Sequence, residues 1–466
     1  LYLVSEWTIR IAMLWQVPHG RTTAAARTWL VLIFLVPWPG FALYLLIGRI
    51  RVPQRRRVRQ QRAAERVRSV LVSMKSTVGP RPGLEADGEP IAVLAERLGG
   101  FAPLGGNQVE LLPDYQAAID RLISDIDAAR ETAHLLFYIF APDATGRSVA
   151  AALVRAARRQ VICRVLMDAV GSAGGLRKLG PELRAAGIEV IAALPVGVLR
   201  RSSARADLRN HRKIAVIDGA IGYVGSQNLV SPEFVPGFPN EELMARLRGP
   251  VVAQLEAVLL ADRYEETERR LDLERPPHYP DAAGTTMAQV LPSGPAYPFE
   301  NPQALLCSLL NLARERVVIT TPYFVPDEPF LVAMETAAVR GADVHLVVPE
   351  RSNKAITSWA QRSHYERLLD AGVHVHLYAP RFLHAKHVTV DGRIAVIGSV
   401  NIDIRSFALD SEVSLLVYDT AVVRDFEAIQ ARYFASSREL SLVEWQKRPV
   451  LARVAENTAR LADSLL

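Results

Sequence analysis

Twice in this 466-residue chain a histidine is followed two positions later by a lysine inside a longer repeated phrase. His211 and Lys213 stand in NHRKIAVIDGAIGYVGSQNL (210–229), His384 and Lys386 in LHAKHVTVDGRIAVIGSVNI (383–402). Aligned without gaps, the copies share His, Lys, Asp, Gly, Ile, Gly, Ser and Asn, and most other positions exchange one apolar residue for another. A structural repeat needs only the apolar positions, so the shared polar ones call for a chemical reason. The chain has six lysines against 49 arginines, and two of the six fall at one offset behind a histidine. Arginine would serve as well for surface charge. An ammonium beside an imidazole, with Ser226, Asn228, Ser399 and Asn401 near, suits the oxygens of a phosphate.

Two such half-sites placed face to face would set two imidazoles on opposite sides of one phosphorus. One attacks while the other protonates the departing alkoxide. The lysines and asparagines then hold the non-bridging oxygens and the charge they gain. The chemistry is expected to run without a metal or other cofactor. His374 and His376, in HVH, are the nearest metal candidates, but their spacing reads as alternate residues on one face of a strand.

The elements that position these residues are short. IAVID and HVTVD are strand-like runs ending in Asp-Gly, a hairpin-turn signal, and IGYVG and IAVIG return from the turn. His and Lys, two apart, share a face. Asp218 and Asp391 have a competent role as turn residues, yet they complete each motif and stay among the catalytic candidates. Helix and strand patterns alternate before each copy, as in PDYQAAIDRLISDIDAARETAHLLFYIF, whose strand is expected to end at Phe140. This argues α/β layers built by internal duplication. The expected organisation is a first half over 100–270, a linker over 271–287 and a second half over 288–435. A helical tail follows over 436–466, interrupted at Pro449, to lie on a membrane or pack on the domain. Tyr138 and Tyr323, in FYIF and TPYF, approach the site or pack beside it.

Residues 1–50 read as a membrane region. From Thr28 to Gly48 the chain carries 21 residues without a charge, about the length that crosses a bilayer. Residues 1–17 read as part of another apolar helix, in which Glu6 and Arg10, four apart, are placed to pair. Residues 51–99 form a basic juxtamembrane segment and linker. Nine arginines between Arg49 and Arg68 place the downstream chain in the cytoplasm by the positive-inside rule and attract anionic headgroups. Segment 59–78 is a candidate interfacial helix. The net charge of +6 is concentrated beside the membrane segment rather than along a groove, which argues against nucleic acid. Two distant cysteines, Cys163 and Cys307, argue against a disulfide framework.

The twin H-x-K-x4-D motifs resemble those of the phospholipase D superfamily. PWPG (37–40), GNQVELL (106–112), TPYFVPDE (321–328) and the run from FLHAKHVTVDG to Asp419 are similar to its bacterial cardiolipin synthase branch. The resemblance implies two tandem pseudo-twofold-related α/β domains preceded by N-terminal transmembrane helices. It implies a phosphatidyltransferase that joins two phosphatidylglycerol molecules into cardiolipin, releasing glycerol through a phosphatidyl-histidine. By analogy His211 is the nucleophile and His384 the general acid, and an acid downstream of each motif orients a histidine. Glu412 fits that position in the second half. In the first half the usual tryptophan-and-aspartate segment is replaced by FPNEELMARLRGP, where Glu242 is chosen and Glu241 is the alternative. Arg405 binds a second phosphate or makes a structural ion pair. The implied partners are phosphatidylglycerol and anionic lipids of the bacterial cytoplasmic membrane, with association into a homodimer left open. Water in place of the second lipid would make the site a hydrolase and serine would make it a phosphatidylserine synthase; a nuclease is the third reading.

Overall fold

The computed structural model describes residues 1–19, 23–48, 58, 62, 84, 88–196, 208–234, 237–267 and 279–461. Most of the basic juxtamembrane segment, nearly all of the candidate helix 59–78 and the linker up to residue 278 lie outside the described residues.

In the first half the strands are β1 (Leu104–Leu112), β2 (Thr132–Phe137), β3 (Ile162–Asp168), β4 (Glu189–Ala193), β5 (Lys213–Ile217), β6 (Ile221–Gly225), β7 (Asn240–Glu241) and β8 (Met244–Arg248). In the second half they are β9 (Thr286–Ser293), β10 (Arg316–Thr320), β11 (Phe324–Val325), β12 (Asp343–Pro349), β13 (His374–Tyr378), β14 (Phe382–Leu383), β15 (His387–Val390), β16 (Ile394–Gly398), β17 (Ile402–Asp403) and β18 (Glu412–Val417). The tail adds β19 (Ser437–Glu439). Fifteen of these form one sheet in the order β19-β13-β12-β10-β15-β16-β18-β9-β1-β8-β6-β5-β2-β3-β4. Read outward from the antiparallel β9–β1 contact, the order is the same on both sides: β18 answers β8, β16 answers β6, β15 answers β5 and β10 answers β2. The repeated sequence has become a pseudo-twofold axis through the middle of one sheet. The tail is therefore not wholly helical, since β19 extends the β13 edge.

Near-continuous apolar runs such as HLLF and VLMD suit strands covered on both faces, and the parallel trio β2-β3-β4 needs helical crossovers to connect it. On one face the halves share a core. Leu136, Val216 and Leu255 of the first meet Ile397, Leu415 and Phe426 of the second. The helices that close this shared layer are α4 (Val251–Thr267) and α6 (Thr420–Ala435). On the other face each half keeps a core of its own, around Phe137 and Leu153 or around Phe330 and Leu346.

The N-terminal region departs from expectation. It folds as α1 (Tyr2–Gln16), α2 (Thr23–Leu35) and α3 (Pro37–Leu43), continued by a π-helical turn over Tyr44–Gly48. The uncharged stretch 28–48 is thus not one transmembrane helix. Val36 leaves the helical region (φ −132°, ψ 78°) because Pro37 has no N–H to continue the ladder and disfavours helix in the residue before it. The chain then turns back so closely that a Cβ on Gly40 would lie 3.0 Å from the Ile33 Cα. Among the described residues no helix is long and apolar enough to cross a membrane. Ile9, Met13, Trp29, Ile33 and Tyr44 make a small core, with Trp29 and Tyr44 edge to face at 5.4 Å. Glu6 and Arg10 do pair, at 3.5 Å, and the guanidinium also donates to the Phe34 carbonyl at 3.2 Å, capping α2.

Candidate active site

Each His-x-Lys sits at the entry of a hairpin whose far end is fixed by the motif aspartate. Asp218 and Gly219 have φ of 51° and 63°, Asp391 and Gly392 of 51° and 64°, the two left-handed residues of a tight hairpin turn. Asp218 accepts the backbone N–H groups of Arg130, Glu131 and Thr132 at 2.7–2.9 Å. Asp391 repeats this with Arg314, Glu315 and Arg316 at 2.8–2.9 Å. A strand of five residues, roughly 16 Å, separates Asp218 from the lysine. Both aspartates leave the catalytic set: they tie the hairpin to the start of its neighbouring strand. Asp218→Ala or Asp391→Ala should lower unfolding stability by about 2–4 kcal/mol, read from urea melts, while the folded enzyme keeps its kcat.

At the near end the two halves are stitched together. The His211 N–H donates to the Ser411 carbonyl at 2.9 Å, and that of His384 to the Glu241 carbonyl at 2.7 Å. Strand β14, just before His384, pairs with β7 of the first half. The consequence is a crossover of acids. Glu412, in the second half, meets Nδ1 of His211 at 3.2 Å, and Glu242, in the first half, meets Nδ1 of His384 at 2.7 Å. Each histidine is oriented by the other half. The alternative, Glu241, instead turns its side chain to Arg381, 3.4 Å away. With Nδ1 engaged on both rings, Nε2 is the atom left for a reaction.

Ser226 and Ser399 are fully buried and do not offer themselves to a phosphate. Their hydroxyls accept the N–H of the residue after each acid, Leu243 and Val413, at 3.0 Å. The glycine before each serine is needed for that approach, since a Cβ on Gly225 or Gly398 would collide with the Leu243 or Val413 carbonyl. Asn228 accepts the Ile139 N–H at 3.0 Å, which leaves its Nδ2 as donor. Asn401 donates to Ser406 Oγ at 3.2 Å, and Ser406 donates to Glu412 at 3.1 Å, so Asn401 supports the acid that orients His211.

Burial dominates the electrostatics. It pushes both imidazoles down to about 4, more than the adjacent carboxylates raise them. Lys386 is pushed down to about 7 by burial, opposed by Glu242 and assisted by the like charge of Lys213; Lys213 is lowered too, again chiefly by burial. Each ammonium donates to its own histidine's carbonyl. Burial raises Glu412 to about 7 and Asp410 to about 6. Glu242 is held below the usual carboxylate range, because His384 and its hydrogen bond outweigh the burial that opposes ionisation.

Residues 122–262 and 306–433 match the family described as cardiolipin synthase, phospholipase D-like domain. Cardiolipin synthase A of Pectobacterium carotovorum subsp. carotovorum is 37% identical, over 97% of this chain and 94% of the relative. The chain belongs to the cardiolipin synthase family. Cardiolipin synthase A of Proteus mirabilis is 34% identical, over 100% of this chain and 96% of the relative. Cardiolipin synthase family membership makes the chain a phosphatidyltransferase of phospholipase D type. The solved phosphatidylserine synthase of Haemophilus influenzae shares the fold, with a TM-score of 0.64 at 16% identity over 82% of this chain and 100% of that one.

Several residues around this cardiolipin synthase site escaped the sequence reading. Asp410 lies 3.5 Å from Nδ1 of His211, a second carboxylate there, whereas the matching position beside Glu242 is Asn240, which donates to that acid at 3.3 Å. Aligning FPNEE with ALDSE would have exposed the pair. Arg405 lies 3.8 Å from Asp410, the ion-pair arrangement. Asp168 closes β3 by accepting the Asn210 N–H at 3.0 Å, and Arg212 spans the halves from Asp262 of α4 to the carbonyls of Ser293 and Glu412. Strand β2 ends at Phe137, not Phe140, which lets Tyr138 stand edge-on to His211 at 4.2 Å. Tyr323 faces His384 at 6.5 Å and carries the Lys354 ammonium 4.7 Å over its ring. In the stretch VPGFP (235–239), which follows the first motif, residues 235 and 236 lie outside the described residues, and Phe238 packs on Phe382 at 5.5 Å. His211, Asp410 and Glu412 are the one group of described residues that brings three metal-capable atoms within 4.8 Å of one another. His374 and His376 do share a strand face, stacked at 6.5 Å.

Proposed function

We propose that this site joins two phosphatidylglycerol molecules into cardiolipin and releases glycerol. Nε2 of neutral His211 attacks the first phosphorus, and the glycerol oxygen leaves with a proton from Nε2 of His384. A glycerol hydroxyl of the second lipid then gives its proton back to His384 as its oxygen displaces His211 from phosphorus. Cardiolipin and the starting enzyme result. The observation that carries this reading is the crossed pair: two histidines, each held through Nδ1 by a carboxylate of the opposite half. The positive charge that a phosphatidyl group leaves on an imidazole is better supported at His211, which has both Glu412 and Asp410. An approaching phosphate anion raises the His384 imidazole from its low resting value and so arms it as an acid.

Transfer to a lipid alcohol rather than to water is supported by the rings of Phe238, Phe382 and Tyr323, an apolar wall at 5.5–6.0 Å spacing beside His384. The same reading makes phosphatidylglycerol and anionic lipids of the bacterial cytoplasmic membrane its partners. It puts the catalytic halves on the cytoplasmic side, anchored through the apolar N-terminal helices. Purified enzyme given phosphatidylglycerol in detergent should yield cardiolipin and glycerol in equal amounts; phosphatidic acid as the sole lipid product would overturn the proposal.

The pH profile follows from Lys386. As pH rises through about 7 the free enzyme loses this ammonium and its attraction for phosphate, so kcat/KM falls. A bound phosphate favours the charged lysine, so kcat holds to higher pH. Lys386→Arg should remove the alkaline limb of kcat/KM, as steady-state rates across pH 5.5–9 would read.

A further inference from the structure

The C-terminal helix α7 (Val450–Arg460) is turned inside out. Val450, Leu451, Val454 and Leu461 recur at helical spacing on one face, and that face is the outer one: Leu451 is 83% exposed and Leu461 76%. The inner face carries Ala459 and a carboxylate, Glu456, which is only 2% exposed. Rolling the helix would bury the large side chains, yet it is locked against rolling. Glu456 takes Arg362 at 2.8 Å and Arg448 at 3.0 Å, and both guanidiniums lie over the Trp445 ring, at 4.9 and 4.3 Å. Ala459 packs on Ala360 and Val325. A buried ion pair of this kind specifies an orientation more than it adds stability.

The helix beneath, α5 (Ala355–Ser363), repeats the pattern, with Ile356 and Trp359 exposed one turn apart. It begins one residue after Lys354, the ammonium that covers Tyr323 beside His384. Apolar surface therefore starts at the rim of the catalytic site and continues over two packed helices. Exposed or half-exposed cations on and beside these helices are Arg351, Lys354, Lys447, Arg453 and Arg460, against the exposed acids Glu328, Glu350 and Glu444.

We propose that α5 and α7 form the surface on which the catalytic halves dock to an anionic phospholipid bilayer, bringing the site's mouth to the membrane plane. The inference rests on the reading that the substrate is a membrane lipid. Large apolar side chains mixed with cations match the headgroup and acyl boundary of such a bilayer. A second copy fits less well, because a twofold contact would bring the same cations against each other.

The test uses the full chain reconstituted in phosphatidylglycerol vesicles. Leu451→Glu/Val454→Glu should reduce cardiolipin formation from vesicle lipid about tenfold or more, while its rate on phosphatidylglycerol in detergent micelles stays within about twofold. Equal losses in both presentations would overturn the proposal. A nitroxide at Leu451→Cys, in a Cys163→Ala/Cys307→Ala background, should collide more with oxygen and less with a nickel chelate once vesicles are added. A label that stays solvent-exposed on vesicles, or one broadened by a second label, would also overturn it. No cardiolipin in either presentation would instead defeat the assigned reaction, and the nitroxide would still report docking.

Discussion

Given a phosphatidyl ester of p-nitrophenol, the His384→Ala enzyme should release one equivalent of nitrophenolate and then stop. Nitrophenol leaves without a proton, so the first displacement needs only His211. The second needs a base for the incoming hydroxyl, and that base is gone. The phosphatidyl group therefore stays on Nε2 of His211, where mass spectrometry of the peptide containing residue 211 would find an acid-labile adduct. His211→Ala should give no burst at all. With phosphatidylglycerol as donor, loss of the acid should lower turnover by about 10²–10⁴, and loss of the nucleophile by at least as much. An adduct on residue 384 of the His211→Ala enzyme would reverse the two roles.

The crossed acids make a second, less intuitive result expected. Glu412 lies 201 residues from His211 and in the other half, yet Glu412→Gln should behave as a defect of His211 and weaken the burst. Glu242→Gln should instead preserve the burst and stall afterwards, as His384→Ala does. Losing the carboxylate that sets tautomer and steadies the imidazolium should cost about 10²–10⁴ in kcat. The effects are unequal. Asp410 stands behind Glu412 at His211, so Glu412→Gln alone should be the milder variant, and Asp410→Asn/Glu412→Gln should match Glu242→Gln in its loss of kcat while losing the burst that Glu242→Gln keeps. Burst amplitudes of the four proteins decide it; a Glu412→Gln enzyme that bursts fully and then stalls would show that the carboxylates do not act across the halves.

What the sequence made legible, and what it hid, divides along physical lines. The hairpins could be read because a tight hairpin turn demands left-handed backbone at two residues, which Asp-Gly tolerates well, and the duplication because apolar and polar positions repeat in register. The candidate histidines and lysines stood out through residue types that a fold alone does not require. The crossover of acids could not be read, because periodicity says which face of a strand a side chain occupies but not which half packs against it. The motif aspartates and serines misled for a related reason. They recur in both copies because β5–β6 and β15–β16 must be anchored in the same way twice, and recurrence does not separate an anchoring residue from one that touches substrate. At the N-terminus the Pro37 break was visible in the letters, but hydropathy counts apolar residues and ignores a missing N–H.

The divided ownership of each histidine also governs when the enzyme can first act. Synthesis runs from the first half to the second, so the two parts of each half-site are made at different times. His211 then emerges, but its carboxylates Asp410 and Glu412 are still about 200 codons away, some 10–40 s at ordinary rates of synthesis. His384 does find Glu242 already made, but its partner histidine is still uncoupled. Only when β18 docks between β16 and β9 are both half-sites complete. A chain made only through its first half therefore lacks the carboxylates that hold His211, and both half-sites exist only once β18 is in place.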